Sequence, residues 1–101
     1  KIFSLFDDLT LEVLLSGISR ENQKLFLEKV LSPLSDEDLR LLETYFEKDQ
    51  SLAATCQALF LHKNTVQYRL NRIHRLCGLN PRSFRDAAVL YLSLKVRHCY
   101  T

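Results

Sequence analysis

Methionine and tryptophan are absent, and glycine and proline occur only twice each in 101 residues. So few turn formers argue against a β-rich fold, whose hairpins draw on those residues. No apolar run approaches the ~20 residues that span a bilayer. The opening Lys1-Ile2-Phe3-Ser4 meets Asp7 and Asp8 at once, which is not the pattern of a secretory leader. A chain that lacks Met and starts on a large Lys1 is expected to be a piece of a longer protein. Any upstream sensory domain would then be missing from it. The three cysteines, Cys56, Cys77 and Cys99, are odd in number and form no Cys-x-x-Cys pair. A zinc ribbon or redox motif is therefore not expected, and a reduced, cytoplasmic setting fits better than secretion. His74 and Cys77 lie three apart on one predicted helix, but two ligands do not make a metal site and Cys77 continues an apolar face. No nucleophile elbow, phosphate-binding loop or paired carboxylates occur. The expectation is no catalytic residue, no metal, no cofactor and no enzyme.

Acid is missing from one long stretch. Residues 50–85 contain no Asp or Glu but hold Lys63, Arg69, Arg72, Arg75, Arg82 and Arg85, a net of +6. Residues 1–49 carry six basic and eleven acidic residues, a net of −5, and residues 86–101 add +1. The formal charge of +2 thus hides a basic block beside an acidic one. Such a block is either a solvated helix face or the footprint of an anionic partner.

The periodicity is helical throughout, and the length is that of one domain. Leu9, Val13 and Leu14 are expected on the apolar side of a first short helix, with Gly17 at its C-terminal end. Ser19 can cap a second helix spaced by Leu25, Phe26, Lys29 and Val30 and stopped by Pro33. Ser35 with Asp38 has the spacing of a capping box, and Asp36, Glu37 and Asp38 suit the positive helix end. That helix runs to about Lys48, with Leu39, Leu42, Tyr45 and Phe46 inward. Ser51 can cap a helix over about 52–60, with Ala54, Ala58 and Leu59 inward. Leu61-His62 forms a turn without glycine, so Phe60 or Leu61 must take an awkward backbone. A helix over 63–77 follows and ends at Gly78. Ser83 with Asp86 offers a second capping box for a helix over 84–98. That last helix is apolar on more than one face, so it is either central or at an interface, and its second face is expected to meet a second copy or an upstream domain. The fold class is all-α: a compact helical domain of about six helices. Residues 1–34 are expected to pack on a core formed by 35–101.

The chemistry concentrates on 63–77. At 100° per residue, Val66, Leu70, Ile73 and Cys77 fall in one arc. Asn64, Thr65, Tyr68, Arg69, Arg72 and Arg75 fall elsewhere. Groove recognition requires a helix held rigid on one face, polar side chains near its N-terminus and cations at its flanks. Asn64 and Gln67 have amides suited to adenine, Lys63 and Arg69 can read guanine, and Thr65 offers a hydroxyl and a methyl. Tyr68 can donate to phosphate, while Arg72 and Arg75 are better placed for the backbone than for bases. Blander roles stand beside these. Tyr68 can pack its ring, His62 can fill the turn, Asn64 with Gln67 can cap, and the arginines can simply be solvated.

The string His62-Lys63-Asn64-Thr65-Val66-Gln67-Tyr68-Arg69-Leu70 resembles the HxNTxxYRL signature of the C-terminal helix-turn-helix in PucR-type and sugar-diacid (CdaR) bacterial transcription regulators. Thr55-Cys56-Gln57-Ala58-Leu59 is similar to the family's preceding helix, with Cys56 where Ala is usual. Leu41-Leu42-Glu43-Thr44-Tyr45-Phe46 and Gly78-Leu79 match further family positions. The likeness is strong over about 39–79, looser elsewhere, and shared locally with the Fis-like helix-turn-helix. The resemblance implies that Lys63, Asn64, Thr65, Gln67 and Tyr68 lie at the DNA groove with His62 at the helix start. Lys63 stands where the family has Arg, so a bidentate guanine contact there is not implied. The implied partner is double-stranded DNA, bound by a homodimer of the full-length protein, with no role at a membrane. The competing class is a helical protein–protein interaction or dimerisation module without DNA contact.

Overall fold

Serine hydroxyls set where three of the helices start. The computed structural model describes the backbone of residues 11 and 13–100, and their side chains except 99 and 100. Five helices follow a helical turn at 13–16: α1 (Arg20–Val30), α2 (Asp36–Glu47), α3 (Leu52–Leu59), α4 (Lys63–Cys77) and α5 (Phe84–Tyr100). The hydroxyls of Ser19, Ser35 and Ser51 each accept the N–H three residues on, at 3.1 Å, and so cap α1, α2 and α3. At Ser35 the box is complete, because the Asp38 carboxylate accepts the Ser35 N–H at 3.0 Å. The second expected box does not form. Asp86 instead accepts the Asn80 N–H at 2.9 Å, and so ties down the loop before α5.

The core lies where α2, α4 and α5 meet. Leu42, Val66, Leu70, Ile73 and Leu90 are fully buried, with Leu39, Leu41, Tyr45 and Leu94 around them. Burying each such aliphatic side chain stabilises the fold by roughly 1.5–3 kcal/mol. α3 packs on both α2 and α4, and α5 packs on α1 and α2. Part of the second face of α5 is thus covered within the chain, while Leu92 stays exposed. Tyr91 meets Phe46 edge to face at 6.1 Å, and α1 covers the side near Val96. An apolar cleft of about 290 Å³ remains there, lined by Leu15, Ile18, Phe26, Leu92 and Val96. Ser93, buried on the same helix, satisfies its hydroxyl on the Leu90 carbonyl at 2.7 Å.

Three inward faces differ from those the spacing predicts. Before α1, Leu15 is buried while Val13 and Leu14 are exposed; Leu9 lies outside the described residues. In α1, Gln23 and Val30 turn inward and Leu25 outward. The Gln23 amide donates to the Leu15 and Ile18 carbonyls at 3.2 and 3.1 Å, which makes a buried polar residue affordable. In α3, Thr55 is the buried residue and Ala58 is exposed. The Thr55 hydroxyl donates to the Ser51 carbonyl at 2.7 Å, so its burial leaves no polar atom stranded.

Gly78 ends α4 in the left-handed region at φ 79°, the conformation for which glycine is suited. Gly17 does not share it, since Gly78 is the one glycine with positive φ among the described residues. Phe60 accepts the strained turn after α3, at φ 56° and ψ 43°. Its ring is 93% exposed and returns no packing for that strain. Phe60→Gly is therefore expected to stabilise the domain by about 1 kcal/mol, which chemical denaturation would measure. Unchanged or lower stability would mean that the ring or the loop entropy outweighs the backbone term.

Candidate nucleic-acid interface

α4 is clamped on its inner side and open on its outer side. Val66, Leu70 and Ile73 have no exposed surface, so the helix cannot rotate without opening the core. Cys77 continues this stripe half-buried; its thiol donates to the Leu79 carbonyl at 3.7 Å, and burial pushes its pKa up. His74, its suggested metal-binding companion, is exposed.

The start of α4 is capped by an unusual residue. The His62 Nδ1 accepts the Asn64 N–H at 3.0 Å. An accepting Nδ1 puts the ring proton on Nε2, which leaves an outward N–H donor at the helix N-terminus. The turn-filler and cap readings of His62 thus merge. Asn64 contributes only its backbone to the cap, so its side-chain amide is not used there. Among the described residues, the side chains of Lys63, Asn64, Gln67 and Arg75 have no hydrogen-bond or ion-pair partner in the chain. Lys63, Asn64 and Arg75 are exposed, Thr65 and Gln67 half-buried, and Tyr68 is 60% exposed. These groups form one polar, acid-free surface from the first turn of α4 to its last.

Arg69 and Arg72 stand apart from it. Both lean toward the first turn of α2, across more than thirty residues of sequence. Arg72 Nη2 donates to Asp38 Oδ1 at 2.7 Å, and Arg69 Nη1 lies 3.5 Å from Glu37 Oε1. The Asp38 side chain is 2% exposed, whereas that of Glu37 is 65% exposed. Burial alone would raise the Asp38 pKa. The Ser35 N–H and the Arg72 guanidinium more than offset this and hold it below the usual carboxylate range. One carboxylate thus closes the cap of α2 and anchors α4. Arg72 therefore has a structural role that its position on the helical wheel did not reveal. Using Arg69 for a guanine contact would require its pair with Glu37 to open.

The surface also extends past α4 in a way the sequence analysis missed. Arg82 Nη1 donates to Asn71 Oδ1 at 2.9 Å, which brings the loop after Gly78 against the outward face of α4. Arg82 counts among the cations of the acid-free block, whereas Asn71 carries no sequence signal of its own.

A helix held this way after a short capped helix and a strained turn is a helix-turn-helix. Residues 39–96 match the family model of the PucR C-terminal helix-turn-helix domain. The chain belongs to that family. Its relatives include the carbohydrate diacid regulator of Escherichia coli K12, 38% identical over 90% of this chain and 25% of the relative. An uncharacterised protein of Haemophilus influenzae is 39% identical over 92% of this chain and 26% of its own length. The DNA-binding transcriptional activator AdeR of Bacillus subtilis is 32% identical over 56% of this chain and 14% of its own. The chain thus spans about a quarter of the length of the first two relatives. No solved structure matches it. All the PucR-type positions from His62 to Leu70 lie on α4 or at its cap, and none is scattered elsewhere in the fold. No helix among the described residues is long and apolar enough to cross a membrane.

Proposed function

We propose that this chain is the DNA-binding output domain of a bacterial transcription regulator, with α4 in the major groove. The observation that carries the reading is the acid-free outward surface of α4. Lys63, Asn64 and Arg75 are exposed and unspent there, on a helix whose opposite face is locked in the core. In this reading Asn64, Gln67, Thr65 and Lys63 read base edges, and His62, Tyr68 and Arg75 hold phosphate. Arg69 and Arg72 support them from the α2 side, and Arg69 joins the interface only when Glu37 releases it. The named activities of the E. coli and B. subtilis relatives support the same assignment, as does the family. Residues 35–101 act as the binding unit, and 1–34 as a segment packed on it. The setting is the cytoplasm, and the protein acts by binding rather than catalysis. A single recognition helix reads few bases, so the full-length regulator is proposed to bind as a homodimer on half-sites ~34 Å apart. Its signal would be sensed by a domain outside this chain.

Selection from a random pool of duplex DNA tests this. Repeated rounds should enrich one short common motif of a few base pairs. A pool that stays random contradicts sequence-specific binding. The alternative, an interaction module without DNA contact, draws on the apolar cleft beside Leu92 and the exposed Val13 and Leu14. It predicts no retention of DNA in the same experiment.

A further inference from the structure

The loop between α4 and α5 is short, fixed and basic. Three contacts hold it from different directions. The Gln50 amide donates to the Pro81 carbonyl at 2.8 Å, from the turn between α2 and α3. The Asn80 N–H donates to Asp86 at 2.9 Å, and the Asn80 side-chain oxygen accepts the Arg82 N–H at 3.0 Å. Pro81 is buried, while Arg82, the next residue, is exposed. Its guanidinium then reaches across to α4 and donates to Asn71.

Asn71 shares the outward stripe of the recognition helix. At 100° per residue it lies about 20° from Asn64 and about 40° from Arg75. Arg82 is therefore pinned beside the residues assigned to the groove, although it comes from another element. The nature of its partner matters as much as its place. Arg69 and Arg72 are partly neutralised by Glu37 and Asp38. Arg82 is held by a neutral amide, which orients the group and leaves its whole charge in place. Asn71 takes one of about five guanidinium N–H donors, and the rest keep the fork geometry that suits a phosphate.

We propose that Arg82 is a phosphate-binding residue of the DNA interface, set in register with α4 by Asn71. The proposal rests on the DNA-binding reading above and adds to it a second element, the loop 79–83. Arg82 clamps the strand flanking the groove and acts on every sequence alike, because phosphates carry no base identity. Asn71 is a positioning residue that acts through Arg82.

The test uses the full chain and a duplex from the pool selection, with binding followed by fluorescence anisotropy across a salt series. Arg82→Ala should weaken binding roughly fivefold at low salt, on selected and random duplexes alike, and flatten the log–log salt slope by about 0.9. Asn71→Ala keeps the charge but frees it. It should weaken binding about twofold without changing the slope, and cause no further loss when added to Arg82→Ala. Lys24→Ala, on α1, serves as the control for diffuse charge and should leave the slope unchanged. Thermal unfolding of Arg82→Ala should match the wild type, since the side chain is exposed. A wild-type slope for Arg82→Ala, or an equal flattening by Lys24→Ala, overturns the role of Arg82 while leaving DNA binding intact. Absence of binding by the wild type overturns both readings at once.

Discussion

Asp38→Ala is expected to lower the stability of the domain by about 3 kcal/mol, more than any surface change near α4. The carboxylate is buried and serves two elements. Its loss leaves the Ser35 N–H without its box partner and the Arg72 guanidinium without its anion. Removing one member of a buried pair costs about 3–5 kcal/mol, and losing a cap about 1. Only the carboxylate side of this pair is buried; the Arg72 side chain is 38% exposed and can turn to water, so the pair's loss falls below that range and the total comes to about 3 kcal/mol. Asp38→Asn retains an acceptor for the Ser35 N–H and should lose distinctly less. Glu37→Ala removes an exposed pair at 3.5 Å and should change stability by less than about 1 kcal/mol. Urea denaturation of the three variants should rank them in that order. Equal losses for Asp38→Ala and Glu37→Ala would mean that burial does not set the strength of these pairs. The same carboxylate predicts a pH dependence. Its pKa is lower in the folded chain than in the unfolded one, so the contribution is intact above the unfolded value of about 3.9. Stability should fall as pH drops below that value and through the depressed native one. Asp38→Ala should lack this part of the acid transition.

Asn64→Ala should do the opposite, with little effect on folding and a large effect on sequence preference. The fold uses the Asn64 N–H, which binds His62, and alanine retains that N–H. The side-chain amide is exposed and has no partner in the chain. Losing a base-reading amide should cost about 1–3 kcal/mol at one base pair of the selected site, or roughly 5–150-fold in discrimination. Affinity for random duplex should barely move. A variant whose preference at every position matches the wild type would remove Asn64 from the set of base readers. A drop in unfolding midpoint alone would make it structural.

The features legible in the sequence are those that depend on near neighbours. Ser35 and Asp38 are three apart, which is the spacing of the box they form. Val66, Leu70 and Ile73 recur at the helical period, and their burial follows from it. Gly78 marked the end of α4, and the turn without glycine foretold a strained residue, which is Phe60. The features that escaped depend on distant residues. Nothing in local spacing links Asp38 to Arg72 or Glu37 to Arg69, so both arginines read as free cations. Asp86 had two possible partners, Ser83 and Asn80, and the loop geometry chose Asn80. The inward faces of α1 and α3 follow Gln23 and Thr55 because their polar atoms find backbone carbonyls, which hydrophobicity alone does not register. Which part of the second face of α5 is covered also depends on a distant element, α1, and no local spacing shows that Leu92 is left exposed beside it. At the candidate site, the outward residues of α4 were visible from the helical wheel, whereas Asn71 with Arg82 required the loop to be in place.

If the outward surface of α4 meets duplex DNA, charge contributes to the binding as well as shape. Anisotropy of a labelled duplex titrated with the chain at several salt concentrations tests it most directly. Six cations in the acid-free block would give a log–log slope of about −5. With Arg69 and Arg72 held by acids, Lys63, Arg75 and Arg82 are the cations on the proposed surface, and three such charges give about −2.7. Binding at low salt with a slope near that value is the expected result. Binding that is absent at low salt, or present but indifferent to salt, would contradict it.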